Sequence, residues 1–212
     1  MQTQAGNIEK EKSKERILKS ATNLFAQKGY DAVGIREICK IAKANICMIS
    51  YFWGGKKGLY RGILNDLVEK QLKFAARFID VKKDPKELSK KEQIKLLYAI
   101  VNKAIDFLYG DSLSPDLFYF LIKEQHEPKT NIKSPFISYL RKLVGAIFEK
   151  NSDDKEIIYK TLFIVSQINS ARLMPAFSLK LLKQKKFKED DIKIIKNNLK
   201  SYIDILIKEV QG

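Results

Sequence analysis

An all-α protein is predicted from three features of the 212-residue chain. Apolar residues recur at steps of three and four almost throughout, the spacing that lines one face of a helix. No run alternates apolar and polar residues as a half-buried strand would. Helix breakers punctuate the pattern, from Gly29 and Gly54-Gly55 to the prolines at 85, 115, 135 and 175, and divide it into about nine helical segments.

The elements follow in order. Ile17, Leu18, Ala21, Leu24 and Phe25 give a first helix one apolar face, and Gly29 stops it. Residues 1–13 before it are polar and charged, read as a flexible tail, and hold no apolar stretch for a signal peptide. A short second helix from Ile35 to Ala42 turns Ile35, Ile38 and Cys39 inward. After the turn Lys43-Ala44, Asn45 is a good cap for a third short helix through Phe52. A long fourth helix carries Leu59, Ile63, Leu67 and Leu72 inward. The second and third helices, joined by about three residues, form a helix-turn-helix. Residues 1–60 therefore read as one domain and 61–212 as a second, larger helical one, with breaks near 84–85, 110–115, 128–135, 151–154 and 183–191.

Two later helices carry long apolar stripes. In the last, Ile192, Ile195, Leu199, Tyr202, Leu206 and Val210 alternate steps of three and four, and Ile203 and Ile207 widen the seam. The eighth helix offers Ile157, Ile158, Leu162, Val165 and Ile168. Such stripes serve either the core or a subunit interface, and both readings stay open. The interface reading assigns Ile158, Leu162, Val165, Ile195, Leu199, Tyr202 and Leu206 to a homodimer contact.

Charge narrows the function. The net charge of +15 and pI near 9.6 point to a polyanionic partner. Nearly all of it is lysine, and a Lys, Ile and Asn bias also follows from an AT-rich genome, so placement decides. Within NICMISYFWGGKKGLY, residues 45–60, Lys56 and Lys57 open the fourth helix. The positive end of the helix dipole favours Asp or Glu there, so two lysines point to a negative partner. One histidine, His126, and two cysteines, Cys39 and Cys47, leave no metal-ligand cluster, and no phosphate-binding glycine loop is present. An enzyme is disfavoured, and neither metal nor cofactor is expected. No apolar run reaches the roughly 18–20 residues of a bilayer span, and no helix pairs a basic face with an exposed aromatic one. A cytoplasmic protein without a membrane partner is expected.

The stretch RILKSATNLFAQKGYDAVGIREICKIAKANICMISYFWGGKKGL, residues 16–59, resembles the TetR family of bacterial transcriptional regulators. The matching positions are Ile17, Leu18, Ala21, Leu24, Phe25, Gly29, Tyr30, Ile35, Ile38, Ala42, Ile49, Tyr51, Lys56 and Leu59. The resemblance implies a homodimer that places the third helix of each N-terminal domain in the major groove of double-stranded DNA. It also implies a C-terminal domain that dimerises and holds a small-molecule effector. LFYFLIKEQHEP and SARLMPAF look more faintly like the C-terminal domain of a subgroup regulating efflux and antibiotic sensitivity.

Carried onto this chain, the resemblance puts Lys56 on a DNA phosphate, beside backbone N–H groups of the fourth helix. Lys57, where many relatives have an acid, adds nonspecific attraction. Ile49 points into the core and leaves Asn45, Ile46, Cys47, Met48, Ser50 and Tyr51 near the groove, with Arg36 on the backbone. Apolar groups cannot read guanine bidentately but pack on thymine methyls, so an AT-rich palindromic operator is expected. Partial burial of Ile46 and Met48 is the competing reading.

The departures from the family pattern are local. Val33-Gly34 replaces a capping threonine, Lys43 replaces the turn glycine and implies a left-handed residue, and Trp53 replaces a phenylalanine. Cys47, in the first turn of the recognition helix, reads as a small apolar surface residue or a redox switch, and His126 as an ordinary helix-end histidine. Arg172, in an apolar neighbourhood, reads either as a partner of Glu124 or as an anion contact. By analogy with the family, Tyr98, Phe118, Glu124, Phe163 and Arg172 are the effector-binding candidates. The function expected is a sequence-specific transcriptional repressor released by an effector. The alternative is a nucleoid-associated or protein-interacting factor of the same fold with weak sequence reading and no effector.

Overall fold

The helical period is realised, in a computed structural model, as ten α-helices and a 3-10 turn among the described residues. The structure describes residues 2–211 apart from 79, 81–82, 111–112, 127 and 131–133, with backbone alone for 2–7, 210 and 211; Val210 of the expected seam lies outside the described side chains. The helices are α1 (Gln2–Lys28), α2 (Ile35–Ala42), α3 (Cys47–Trp53), α4 (Lys56–Ala75), α5 (Lys90–Tyr109), α6 (Pro115–His126), α7 (Pro135–Ile147), α8 (Lys155–Leu173), α9 (Pro175–Leu181) and α10 (Glu189–Gln211).

Local chemistry sets most boundaries. Ser89 and Glu92 cap α5 reciprocally, with the Ser89 N–H donating to the Glu92 carboxylate at 2.8 Å. Ser134 and Asp154 cap α7 and α8 through their side-chain oxygens. Three helices end on a non-glycine residue at positive φ, namely Lys43, Glu149 and Lys183. Each is followed by a backbone bond five residues back: Ala44 to Cys39, Lys150 to Gly145 and Gln184 to Leu179.

The start of α1 corrects one expectation. Residues 8–13, read as part of a flexible tail, continue the helix. Arg16 anchors this polar segment: its Nη2 donates to Ser13 Oγ at 2.8 Å and to Glu9 at 3.3 Å, and its Nε donates to the Ala42 carbonyl at 3.2 Å. Ser13 is accordingly buried. Hydrogen bonds replace the apolar periodicity that would have marked the helix.

The chain divides into two compact units. The first comprises Met1–Glu69 and Ser114–Ile132, so α6 joins it although α6 lies well past residue 60. Asn23 donates to Asp116 at 2.7 Å, and Lys123 donates to the Ala26 and Gln27 carbonyls at the end of α1. Phe25, Tyr30, Tyr60 and Phe120 form one aromatic cluster. The second unit, Lys70–Leu113 and Lys133–Gly212, is built around a buried core from four helices. Ile100 and Ile105 of α5, Leu140 and Leu143 of α7, Ile157 and Ile164 of α8, and Leu199 and Ile203 of α10 meet there.

Candidate nucleic-acid interface

The site is assembled by α2, α3 and the first turn of α4. On α2, Ile38, Cys39 and Ala42 are buried, and burial raises the pKa of the Cys39 thiol. Gly34 precedes the helix with no side-chain cap, as the Val33-Gly34 pair implies. Lys43 ends it at φ 49° and ψ 49°, the left-handed conformation expected at the turn. The Asn45 side chain then accepts from the Cys47 N–H at 2.9 Å, and the Met48 and Ile49 N–H groups bond back to the Asn45 and Ile46 carbonyls. This tight first turn starts α3.

The placements on α3 follow from its rotation. Ile49 is fully buried, 0% exposed, and Met48 is half-buried. Asn45, Ile46, Cys47, Ser50 and Tyr51 are exposed, with Tyr51 at 72%. Arg36 is exposed on α2. One face of a seven-residue helix thus carries a short polar and apolar set to the surface while its opposite side anchors in the core.

Behind α3, Gly54 and Gly55 adopt positive φ and reverse the chain into α4. No acid stands in the first turn of α4. Lys56 is half-buried, its Nζ 4.4 Å from the Tyr30 ring centroid and donating to the Asp31 carbonyl at 3.4 Å, while Lys57 is exposed. A ring face and a peptide oxygen therefore hold the ammonium of Lys56, the residue that opens α4. Two contacts had no signal in the periodicity: Lys10 Nζ lies 5.7 Å from the Tyr51 ring centroid, and Lys14 Nζ 5.8 Å from that of Phe52.

The five effector candidates divide between the two units. Phe118 and Glu124 belong to the first unit; Tyr98, Phe163 and Arg172 belong to the second. Phe118 is buried and Phe163 is 56% exposed. Glu124 accepts from the Tyr60 hydroxyl at 2.8 Å, from the Lys129 and Thr130 N–H groups, and from the Thr130 hydroxyl. Burial, with this bond second, raises the Tyr60 pKa. Tyr98 donates to Asp204, and Arg172 donates to the Leu113 carbonyl at 2.8 Å. A surface cavity of about 540 Å³ lies elsewhere in the second unit, between Lys86, Gln93 and Lys150. Aromatic content could not separate core from cavity lining, because both use the same residues.

The apolar stripes divide by burial, and Leu199, assigned above to the homodimer contact, closes the core instead. Leu199, Ile203, Ile207, Ile157 and Ile168 are buried in the protomer's own core. Ile158, Val165, Ile195, Tyr202 and Leu206 are half-buried, Leu162 is exposed, and Tyr159, Phe163, Ile194 and Ile205 extend the exposed apolar surface. His126 is exposed at the end of α6. Among the described residues no cluster of His, Cys, Asp or Glu could hold a metal, and no helix is long and apolar enough to cross a membrane.

A short exposed helix held by a buried Ile49, with lysines at the next helix start, defines a helix-turn-helix DNA-binding protein. Comparison with known proteins agrees along the whole chain. Residues 17–63 match the model of the bacterial regulatory proteins of the tetR family, and residues 94–210 match the C-terminal domain of the HTH-type transcriptional dual regulator CecR. CecR of Shigella flexneri is 26% identical over 224 residues, covering 98% of this chain and 97% of its own. YttP of Bacillus subtilis (strain 168), named as an HTH-type transcriptional regulator, is 28% identical over 170 residues, covering 77% and 76%. The crystal structure of a transcriptional regulator from Saccharomonospora viridis in complex with choline shares the fold, with a TM-score of 0.54 at 16% identity, covering 92% of this chain and 96% of that one. The chain belongs to the TetR family, with a C-terminal domain of the CecR type, and is a DNA-binding transcriptional regulator. Regulators of this family bind operator DNA, function as dimers and bind small-molecule effectors.

Proposed function

We propose that the protein is a cytoplasmic, homodimeric repressor that reads an AT-rich palindromic operator and leaves it when a small molecule binds. The carrying observation is the exposed face of α3: Ile46, Cys47, Ser50 and Tyr51 offer methyl-packing groups and two hydroxyls, with no arginine among them. Such a face selects thymine methyls and groove shape over guanine edges. Asn45 stands at its start. Arg36, Lys56 and Lys57 hold phosphates on either side and set the register. Met48, half-buried, contributes its exposed edge.

The half-buried and exposed apolar residues of α8 and α10, Ile158, Leu162, Val165, Ile195, Tyr202 and Leu206, pair with the same residues of a second copy. Two-fold pairing puts two α3 helices on one duplex and makes the operator palindromic. The choline complex of the Saccharomonospora viridis regulator supports a small-molecule site in this fold. Release then follows from the effector's preference for the state that does not fit the operator.

Sequencing the genomic fragments retained by the purified protein at about 150 mM salt tests this reading, because weak nonspecific contacts are largely screened there. One or a few AT-rich palindromes are expected. Broad retention without a shared site would replace it with a sequence-tolerant binder.

A further inference from the structure

The N-terminal turns of α1 carry a feature that the helix-turn-helix does not use. Ser13 and Ile17 are buried, so the stripe that seats α1 in the first unit begins at residue 13. The two flanks of that stripe differ. On one, Arg16 is tied to the Ala42 carbonyl at the end of α2 and to Glu9. On the other, Lys10 and Lys14, one helical turn apart, lie against Tyr51 and Phe52 of α3. Lys14 also has Glu11 at 3.7 Å. Lys10 is exposed, and its aromatic neighbour Tyr51 is among the most exposed apolar residues of the unit.

We propose that Lys10, supported by Lys14, is a phosphate contact at the edge of the groove that α3 enters, held in place by the Tyr51 ring. This rests on the reading of α3 as the DNA-facing helix. A cation over an aromatic face is attracted without being neutralised, so Lys10 keeps its charge for a phosphate while its position is fixed relative to α3. Lys56 sits over Tyr30 in the same manner at the start of α4. Two aromatic-held ammonium groups, one from α1 and one from α4, are thus tied to the recognition unit. The helical continuation of α1 makes the first possible: a flexible tail would have to be ordered on binding, at an entropic cost per residue, before its lysines could act at one place.

The test is a salt titration of DNA binding by fluorescence anisotropy, with a labelled mixed-sequence duplex and with a genomic fragment that the protein retains. Full-length wild type is compared with Lys10→Ala, Lys10→Arg and Lys56→Ala, each checked for an unchanged thermal melt. Lys10→Ala should lower the slope of log affinity against log salt by about one on both duplexes, a loss of about fivefold at 0.15 M relative to 1 M salt. Lys10→Arg should restore it. An unchanged slope in Lys10→Ala with a flattened one in Lys56→Ala would overturn this contact and leave the α3 reading standing. Weaker binding with an unchanged slope would also overturn it, assigning Lys10 only to the positioning of Tyr51. If Lys56→Ala and Lys10→Ala both leave affinity and slope untouched, the reading of the whole face falls with it.

Discussion

The backbone carbonyl of Trp53 occupies the space where a β-carbon on Gly58 would stand. A β-carbon on Gly62 would in turn lie 2.6 Å from the Trp53 indole nitrogen. The end of α3 is therefore pressed into the first two turns of α4, and this approach fixes Lys56 relative to the recognition helix.

Replacing Gly58 with alanine should cost about 1–3 kcal/mol or more, because the obstructing atom is backbone and cannot swing aside. Trp53 is the one tryptophan in the chain, so its fluorescence during urea unfolding reports on this contact. A midpoint equal to that of wild type would show that α3 and α4 separate without cost.

Lys43 pays a left-handed conformation that glycine adopts freely. Lys43→Gly should raise the stability of the first unit by about 1 kcal/mol, read from the same fluorescence midpoint. A decrease would mean that the lysine side chain stabilises the turn more than its backbone strains it.

Leu162 and Leu199 lie on the two kinds of stripe, the first 48% exposed and the second 2%. Leu162→Asp should give a folded monomer by sedimentation, with weakened operator binding, since two linked α3 helices bind far more tightly than one. Leu199→Asp should instead unfold the second unit, because a carboxylate there is buried in an apolar core. A dimeric Leu162→Asp protein would place the subunit contact elsewhere.

Alkaline stability depends on Tyr98. Burial and its bond to Asp204 push its pKa up to about 12, against about 10 in the unfolded chain. Between those values the folded state keeps a proton that the unfolded state has lost, so stability falls as pH rises through the window. Tyr98→Phe should flatten the fall of the urea midpoint across it. The decline should not vanish, since the hydroxyls of Tyr60, Tyr109, Tyr139 and Tyr202 are raised too. An undiminished fall in the variant would remove Tyr98 from the account.

Much of this protein was legible without coordinates. The all-α class and the helix-turn-helix depend on neighbours within a few residues, where periodicity and turn chemistry act directly, while the burial of Ile49 and the left-handed Lys43 followed from the family resemblance. Tertiary contacts decided the rest. The segment before residue 13 carries no apolar stripe to read, and its visible ties are the bonds of Arg16 to Ser13, Glu9 and the end of α2. Membership of α6 in the first unit depends on partners more than 90 residues away, Asn23 with Asp116 and Lys123 with the end of α1. The apolar stripes of α8 and α10 looked uniform, yet Leu199 closes the protomer's core while Leu162 faces out. Periodicity reports that a face is apolar; what covers that face is set only when distant helices pack.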